Sequence, residues 1–368
     1  MRPLYSVQSV VFTDREERLM ESAQTICDGL IEPNAEAVDQ AGRVPLDNLR
    51  ELADAGLVAI TTPGEFGGVP TSEAFRQEFI ERLCAACGST FFTLTQHLGS
   101  CGQFASSANP LLRERYLREM AAGRHWVGVG FGHLRRPTPM LRATPTRGGW
   151  ELTGVAPWVT GWPILSGVIF GAHLPDGRHL FVYTEAVESD ALRSSPPLPL
   201  AAMNATETTE VHLERLFVPK ENFLRYSSAE EMARGDEANI AAMVAPMLGV
   251  ARGSLKTLRT IAARRPLPVI GETADALERE IDACRAECRR WATSERSAPE
   301  YHAGALAART GAIELGVRAA LMTVAAASGA ATALSHPAQR RLREAMFYTV
   351  FQQTADILGA TLVRLRRP

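Results

Sequence analysis

The chain has 368 residues, 46% of them hydrophobic and 22% charged; this is too long for one ordinary core and apolar enough for two or three domains with a sizeable interior. Its 39 Lys and Arg against 41 Asp and Glu leave a net charge of −2, and without a basic stripe this balance argues against a nucleic-acid partner. The opening MRPLYSVQSVVFTDREERLM contains no uninterrupted apolar run and soon turns acidic, so neither a signal peptide nor a membrane anchor is expected and the location reads as cytoplasmic.

Helical spacing begins in TDREERLMESAQTIC (13–27), with Thr13 as the expected N-cap and Glu16 as its box partner. A second helix, PLDNLRELADAGL, ends near Gly56, and VAITTPGEFGGVP reads as a loop because Pro63, Gly64, Gly67, Gly68 and Pro70 interrupt it. Helical patterns return in SEAFRQEFIERLCAAC, FFTLTQHLGSCGQFA and PLLRERYLREMAAG, giving an expected all-α domain over 1–122. Near His125 the period changes. WVGVGFG, GWELTG, APWVTG, GVIFGAHL, HLFVYTE and TEVHLERLFV read as short strands between Gly, Pro and Asp, and predict an all-β domain over 123–228. Four helices over 237–262, 273–292, 301–328 and 337–366 predict a C-terminal four-helix bundle over 229–368.

The expected fold class is therefore mainly α with an inserted all-β domain, and a cleft is expected where the layers meet. Cys84 with Cys87 and Cys284 with Cys288 could each face one way on a helix. Without the tight turns of structural zinc sites they are read as reduced core thiols, and no metal is expected.

Several stretches resemble one family, the acyl-CoA dehydrogenases, and together they span essentially the whole chain. LADAGLVAITTPGEFGGVPTSEAFRQEFIERLCAACGST resembles the family's "GL… PEEYGG" turn and the helix after it. GGWELTGVAPWVTGW is similar to its strand with a Trp-Ile/Val-Thr core, and ATETTEVHLERLFVPKENFL to its "V.F..V.VP..N.LG" signature. HPAQRRLREAMFYTVFQQTADI resembles the closing helix "R..RDA… YEGT.EI". The resemblance implies an N-terminal helical domain, a middle β-barrel and a C-terminal four-helix bundle. It further implies FAD as cofactor, an acyl thioester on coenzyme A or a carrier protein as substrate, and a homodimer or homotetramer built through the bundle. The small residues of 301–331 permit the close helix packing that such an assembly needs.

Carried onto this sequence, the resemblance places Trp158 and Thr160 against the isoalloxazine ring, the threonine hydroxyl near flavin N5. The alternative is a large barrel tryptophan and an ordinary strand threonine. Where the family has Thr-Glu-Pro at the flavin pyrimidine, this chain reads GHLRRP over 132–137, which puts Leu134 and Arg135 at that edge. A guanidinium there would favour an anionic reduced ring; the other reading is a solvated Arg135–Arg136 pair. His133, one step away, reads as a substrate contact or as a structural histidine.

The main departure from the family concerns its catalytic base. Gln352 stands at the closing helix's glutamate, with Thr354 at the motif's threonine, and Asn239 stands at the alternative glutamate position on the first bundle helix. A carboxamide cannot accept the substrate's α-proton. Glu237 lies two residues from Asn239, about 200° around a helix axis. Of the family's FAD-tail contacts, ARRPLPVIG keeps Arg264 and Arg265, and SGAA keeps Gly329. The helix FFTLTQHLGS corresponds to the acyl-pocket wall, where Thr95, Gln96 and Ser100 would make a polar lining. Three readings follow: a flavin-dependent dehydrogenase with an atypical base, a flavin monooxygenase of the same fold that needs no carboxylate base, and a flavin-binding or apo scaffold without chemistry.

Overall fold

The computed structural model describes residues 12–366; the reading of the opening residues falls largely outside them. The first layer contains α1 (Asp14–Ile26), α2 (Glu32–Ala41), α3 (Leu46–Asp54), α4 (Glu73–Ala86), α5 (Gly88–Ser106) and α6 (Pro110–Ala121). The capping box at Thr13 forms as its residue types require: Thr13 Oγ1 accepts from Glu16 N, and Thr13 N donates to the Glu16 carboxylate. Helix α2 is one that the apolar pattern does not mark. It continues α1 through a π-helical turn, Cys27–Ile31, and its Pro33 lies just past that turn.

The strands are β1 (Val127–Gly130), β2 (Leu141–Thr146), β3 (Gly149–Val159), β4 (Gly167–His173), β5 (His179–Glu185), β6 (Leu192–Ser194), β7 (Thr209–Pro219) and β8 (Phe223–Ser227). They form one sheet in the order β6-β7-β3-β2-β4-β5-β8, with β1 parallel to β4. The segments expected as two strands, GWELTG and APWVTG, are one strand, β3. Alternate residues Leu141, Leu152, Phe170, Val182, Val211 and Leu213 pack inside the curled sheet as its own core.

The helices after the sheet are α7 (Ala229–Ala238), α8 (Ala245–Arg264), α9 (Pro268–Thr293), α10 (Tyr301–Ala327), α11 (Pro337–Val350) and α12 (Ala355–Leu365). Two of the expected helices are broken. The first bends by 67° between α7 and α8, and the last stops at Phe351 and restarts at α12. Periodicity does not reveal either break because one buried side chain satisfies the backbone at both. Arg309 on α10, 1% exposed, donates to the carbonyls of Met243 and Phe351. Residues 301–332 are long and apolar enough to cross a membrane by length and composition, but here α10 packs among α8, α9, α11 and α12.

The layers share cores. One apolar cluster joins Leu52, Phe79 and Leu83 of the first layer to Met247, Ala312 and Tyr348 of the bundle. Another joins Phe104 and Leu117 to Ile169 and Tyr183 of the sheet. Where β3, α5 and the end of α11 approach one another, a cavity remains.

Candidate active site

The cavity begins at an irregularity in β3. Ala156 pairs with Val211 and Val159 with Thr209, so three steps on β3 face two on β7. The extra residue makes a β-bulge, which re-aims a side chain. Trp158 takes φ 64 at this point, and its residue is 53% exposed between buried Ala156 and Val159. Two residues on, Thr160 is buried, and Gly161 at φ 79 turns the chain so that its N–H donates to Thr206 O at 2.8 Å. That bond holds the 200–208 loop against the end of β3.

The cavity measures about 600 Å³, a size suited to a small-molecule ligand. Trp158 and Thr160 line it from the sheet, Met203, Thr206 and Thr208 from the loop, Phe92 from α5, and Phe347, Phe351 and Gln352 from the end of α11. The Phe92 ring meets Phe347 and Phe351 edge-on at 4.8 and 5.7 Å, closing one wall. Among the described residues that line it, none is acidic, basic, a cysteine or a tyrosine. Three non-glycine residues in left-handed conformations lie here, Trp158, Met203 (φ 58) and Gln352 (φ 48), and Glu207 (φ 46) adjoins them. Such backbone costs of order 1 kcal/mol or more per residue and clusters at functional sites.

The hydroxyls form a chain. Thr206 Oγ1 donates to Met203 O at 2.7 Å, Thr208 Oγ1 lies 2.8 Å from Thr206 Oγ1, and Thr160 Oγ1 lies 3.0 Å from Thr208 Oγ1. Glu207, between the two loop threonines, lines a separate cavity with Arg43 and Pro163, and burial pushes its carboxyl up.

Of the residues singled out in the sequence, Trp158, Thr160 and Gln352 meet at this cavity. The others do not line it. Leu134 is buried in the cluster between the first layer and the sheet. Arg135 and Arg136 are both exposed, and Arg135 makes a two-pronged ion pair with Asp236 of α7, at 2.8 and 2.5 Å. His133 is buried, and burial first of all lowers it to about 4, leaving it neutral at pH 7. Thr354 caps α12 through Ile357 N. Asn239 is the C-cap of α7, and Glu237 faces His302 at 3.4 Å. Because the chain bends here, the two do not lie on one continuous bundle helix.

Arg264 ends α8 on the surface, Arg265 donates to Ala326 O, and Gly329 is exposed after α10. On α5, Gln96 bonds to Phe92 O in its own helix, Ser100 is buried and donates to Gly128 O at 3.3 Å, and Thr95 is half-buried. The wall that α5 presents to the cavity is therefore aromatic, through Phe92, and not the polar lining expected. Cys84, Cys87 and Cys288 are buried thiols, and Cys284 is half-buried.

The sequence reading missed Met203, Thr206, Thr208, Phe92 and the aromatic end of α11. A signal existed for two of them. It is the cluster of hydroxyls in ATETTE, which a 3₁₀ turn ending at Thr206 and a left-handed Glu207 fold onto one side.

A family model described as "Acyl-CoA dehydrogenase, N-terminal domain" matches residues 13–124. Isovaleryl-CoA dehydrogenase of Oryza sativa is 25% identical over 61% of this chain, a match that spans 57% of that relative's length. A probable acyl-CoA dehydrogenase of Bacillus subtilis is 22% identical over 96% of this chain and 98% of its own. Among solved structures, butyryl-CoA dehydrogenase of Megasphaera elsdenii superposes with a TM-score of 0.83 at 16% identity, covering 98% of this chain and all of that one.

Proposed function

Since the chain belongs to the acyl-CoA dehydrogenase family, we propose that it is a flavin-dependent oxidoreductase that holds FAD against Trp158 and Thr160. Its substrate on this reading is an acyl thioester, carried on coenzyme A or on a carrier protein. The observation that supports the reading is the convergence of Trp158, Thr160 and Gln352 on one cavity from segments far apart in the sequence.

A flat, mostly apolar ring suits this lining. The indole is half-exposed beside buried strand residues, and Thr160 lines the same space. FAD bound there supplies an acceptor for a hydride from the substrate's β-carbon. The chain's part is to hold the ring and to exclude water with Phe92, Phe347 and Phe351. Gln352 offers a carboxamide, which can donate or accept a hydrogen bond but takes up no proton at neutral pH. Arg264, Gly329 and Thr354 do not line the cavity. The reading therefore gives the rest of FAD to a surface completed by a second copy of the chain in a homodimer or homotetramer, in the cytoplasm.

The uncharged lining also favours a second reading, a flavin monooxygenase of the same fold, because that chemistry requires no carboxylate base. One experiment separates the two. The purified protein should show the visible absorption of bound flavin, and acyl-CoAs added anaerobically should bleach it slowly, since a general base contributes about 10²–10⁴-fold. Gln352→Glu, with flavin retained, should bleach on the order of 10² times faster. A flavin-loaded Gln352→Glu protein that no acyl-CoA of any chain length bleaches would remove the dehydrogenase reading and leave the monooxygenase. Absence of flavin from the wild type under all loading conditions would remove both.

A further inference from the structure

The hydroxyl chain beside the cavity has a direction, and one backbone carbonyl sets it. A carbonyl oxygen only accepts, so at 2.7 Å from Met203 O the single hydroxyl hydrogen of Thr206 is committed there. The 2.8 Å contact between Thr206 and Thr208 must then take its hydrogen from Thr208. The 3.0 Å contact between Thr208 and Thr160 must in turn take its hydrogen from Thr160. Thr160, Thr206 and Thr208 are 2%, 1% and 4% exposed, so bulk water is not at hand to reverse the order. The Thr160 hydrogen is thus spent on Thr208, and to a ligand in the cavity that Thr160 lines its oxygen has only lone pairs to offer.

We propose that Thr160 is a fixed hydrogen-bond acceptor, through which the cavity selects a ligand, or a ligand's redox state, that presents an N–H or O–H at this point. On the flavin reading above, on which this inference rests, the selected form is reduced FAD. The dihydro ring carries a hydrogen on N5, where the oxidised ring has a bare lone pair that would face the Thr160 lone pairs. Thr206 and Thr208, which need not touch the ring, are positioning residues that set a redox preference.

The test is equilibrium binding of FAD, oxidised and chemically reduced under anaerobic conditions, to the full-length wild type, Thr208→Val, Thr206→Val and Thr208→Ser. Thr208→Val removes the acceptor of the Thr160 hydrogen. Thr206→Val lets Thr208 donate to Thr160 instead. Either change frees the Thr160 hydrogen to donate to oxidised N5, and because they break different links, either variant carries the test if the other fails to fold. The ratio of oxidised to reduced Kd should fall on the order of tenfold in both valine variants, equivalent to a midpoint potential lower by about 30 mV for a two-electron couple. Thr208→Ser, which keeps the hydroxyl, should retain the wild-type ratio. FAD bound with the same ratio in all four proteins, or a serine variant that follows the valine ones, overturns the acceptor assignment and leaves the flavin reading standing. No binding of either form to the wild type overturns both.

Discussion

At Trp158 and Gln352 the backbone is held where a side chain is disfavoured, and both side chains face the same cavity. Because Trp158 is half-exposed, little packing depends on its indole, so Trp158→Ala should change unfolding free energy by no more than about 1 kcal/mol in urea titration while sharply reducing flavin retained through gel filtration. Unchanged flavin content would remove Trp158 from the site. Gln352 allows the converse test: glycine adopts φ 48 without a Cβ penalty of about 1 kcal/mol, so Gln352→Gly should melt no lower than wild type. A marked fall in Tm would mean that the carboxamide itself holds the break between α11 and α12. The three residues that meet at the cavity were legible because motif spacing survives in PWVTG and in FQQT. Arg135 was not, since its position in the motif says nothing of Asp236, 101 residues further on, which takes its guanidinium.

At the scale of elements, helix starts were the most legible features and helix breaks the least. A capping box is local, whereas each break in the bundle depends on Arg309, a residue on another helix. Glu16 shows how a local signal acquires a tertiary role: beyond closing its own box, its carboxylate accepts from Ser72 N at 2.6 Å, and Ser72 is the N-cap of α4. The Ser72 N–H is the main cause that lowers its pKa from 4.5 to about 2, against the opposing effect of burial. A depressed carboxyl stabilises the fold fully above pH 4.5, and that contribution is lost as pH falls through about 2. Wild type should therefore lose more stability than Glu16→Gln between those two values, as read by urea unfolding at a series of pH values. Parallel curves would show that Glu16 titrates alike in both states.

For the molecule as a whole, the order of layers was legible from the change of hydrophobic period, but what joins them was not, because ion pairs between distant segments leave no periodic trace. Glu344 on α11 is 3% exposed and accepts from Arg340 at 2.7 Å, from Arg341 at 3.1 Å and from Gly88 N, at the start of α5, at 3.0 Å. Burial alone would raise its carboxyl, but the guanidinium groups of Arg340 and Arg341 hold it below the usual range. Arg340 also reaches Glu36 of α2 at 2.9 Å, so the network spans both helical layers. Glu344→Ala leaves two buried cations short of a counter-charge and one helix N–H without its acceptor, and should cost about 3–5 kcal/mol. Asp47→Ala, which breaks the exposed Asp47–Arg50 pair, should cost no more than about 0.5 kcal/mol. Because the two layers share this network and one apolar core, they should unfold in a single calorimetric transition in the wild type. The cavity should fail with them: α11 carries Glu344 near its middle and Gln352 just past its end, so a Glu344→Ala protein still folded at low temperature should also retain less flavin. A loss below about 1 kcal/mol, or separate transitions for the two layers in the wild type, would show that they are joined by apolar packing and that the buried charges are only tolerated.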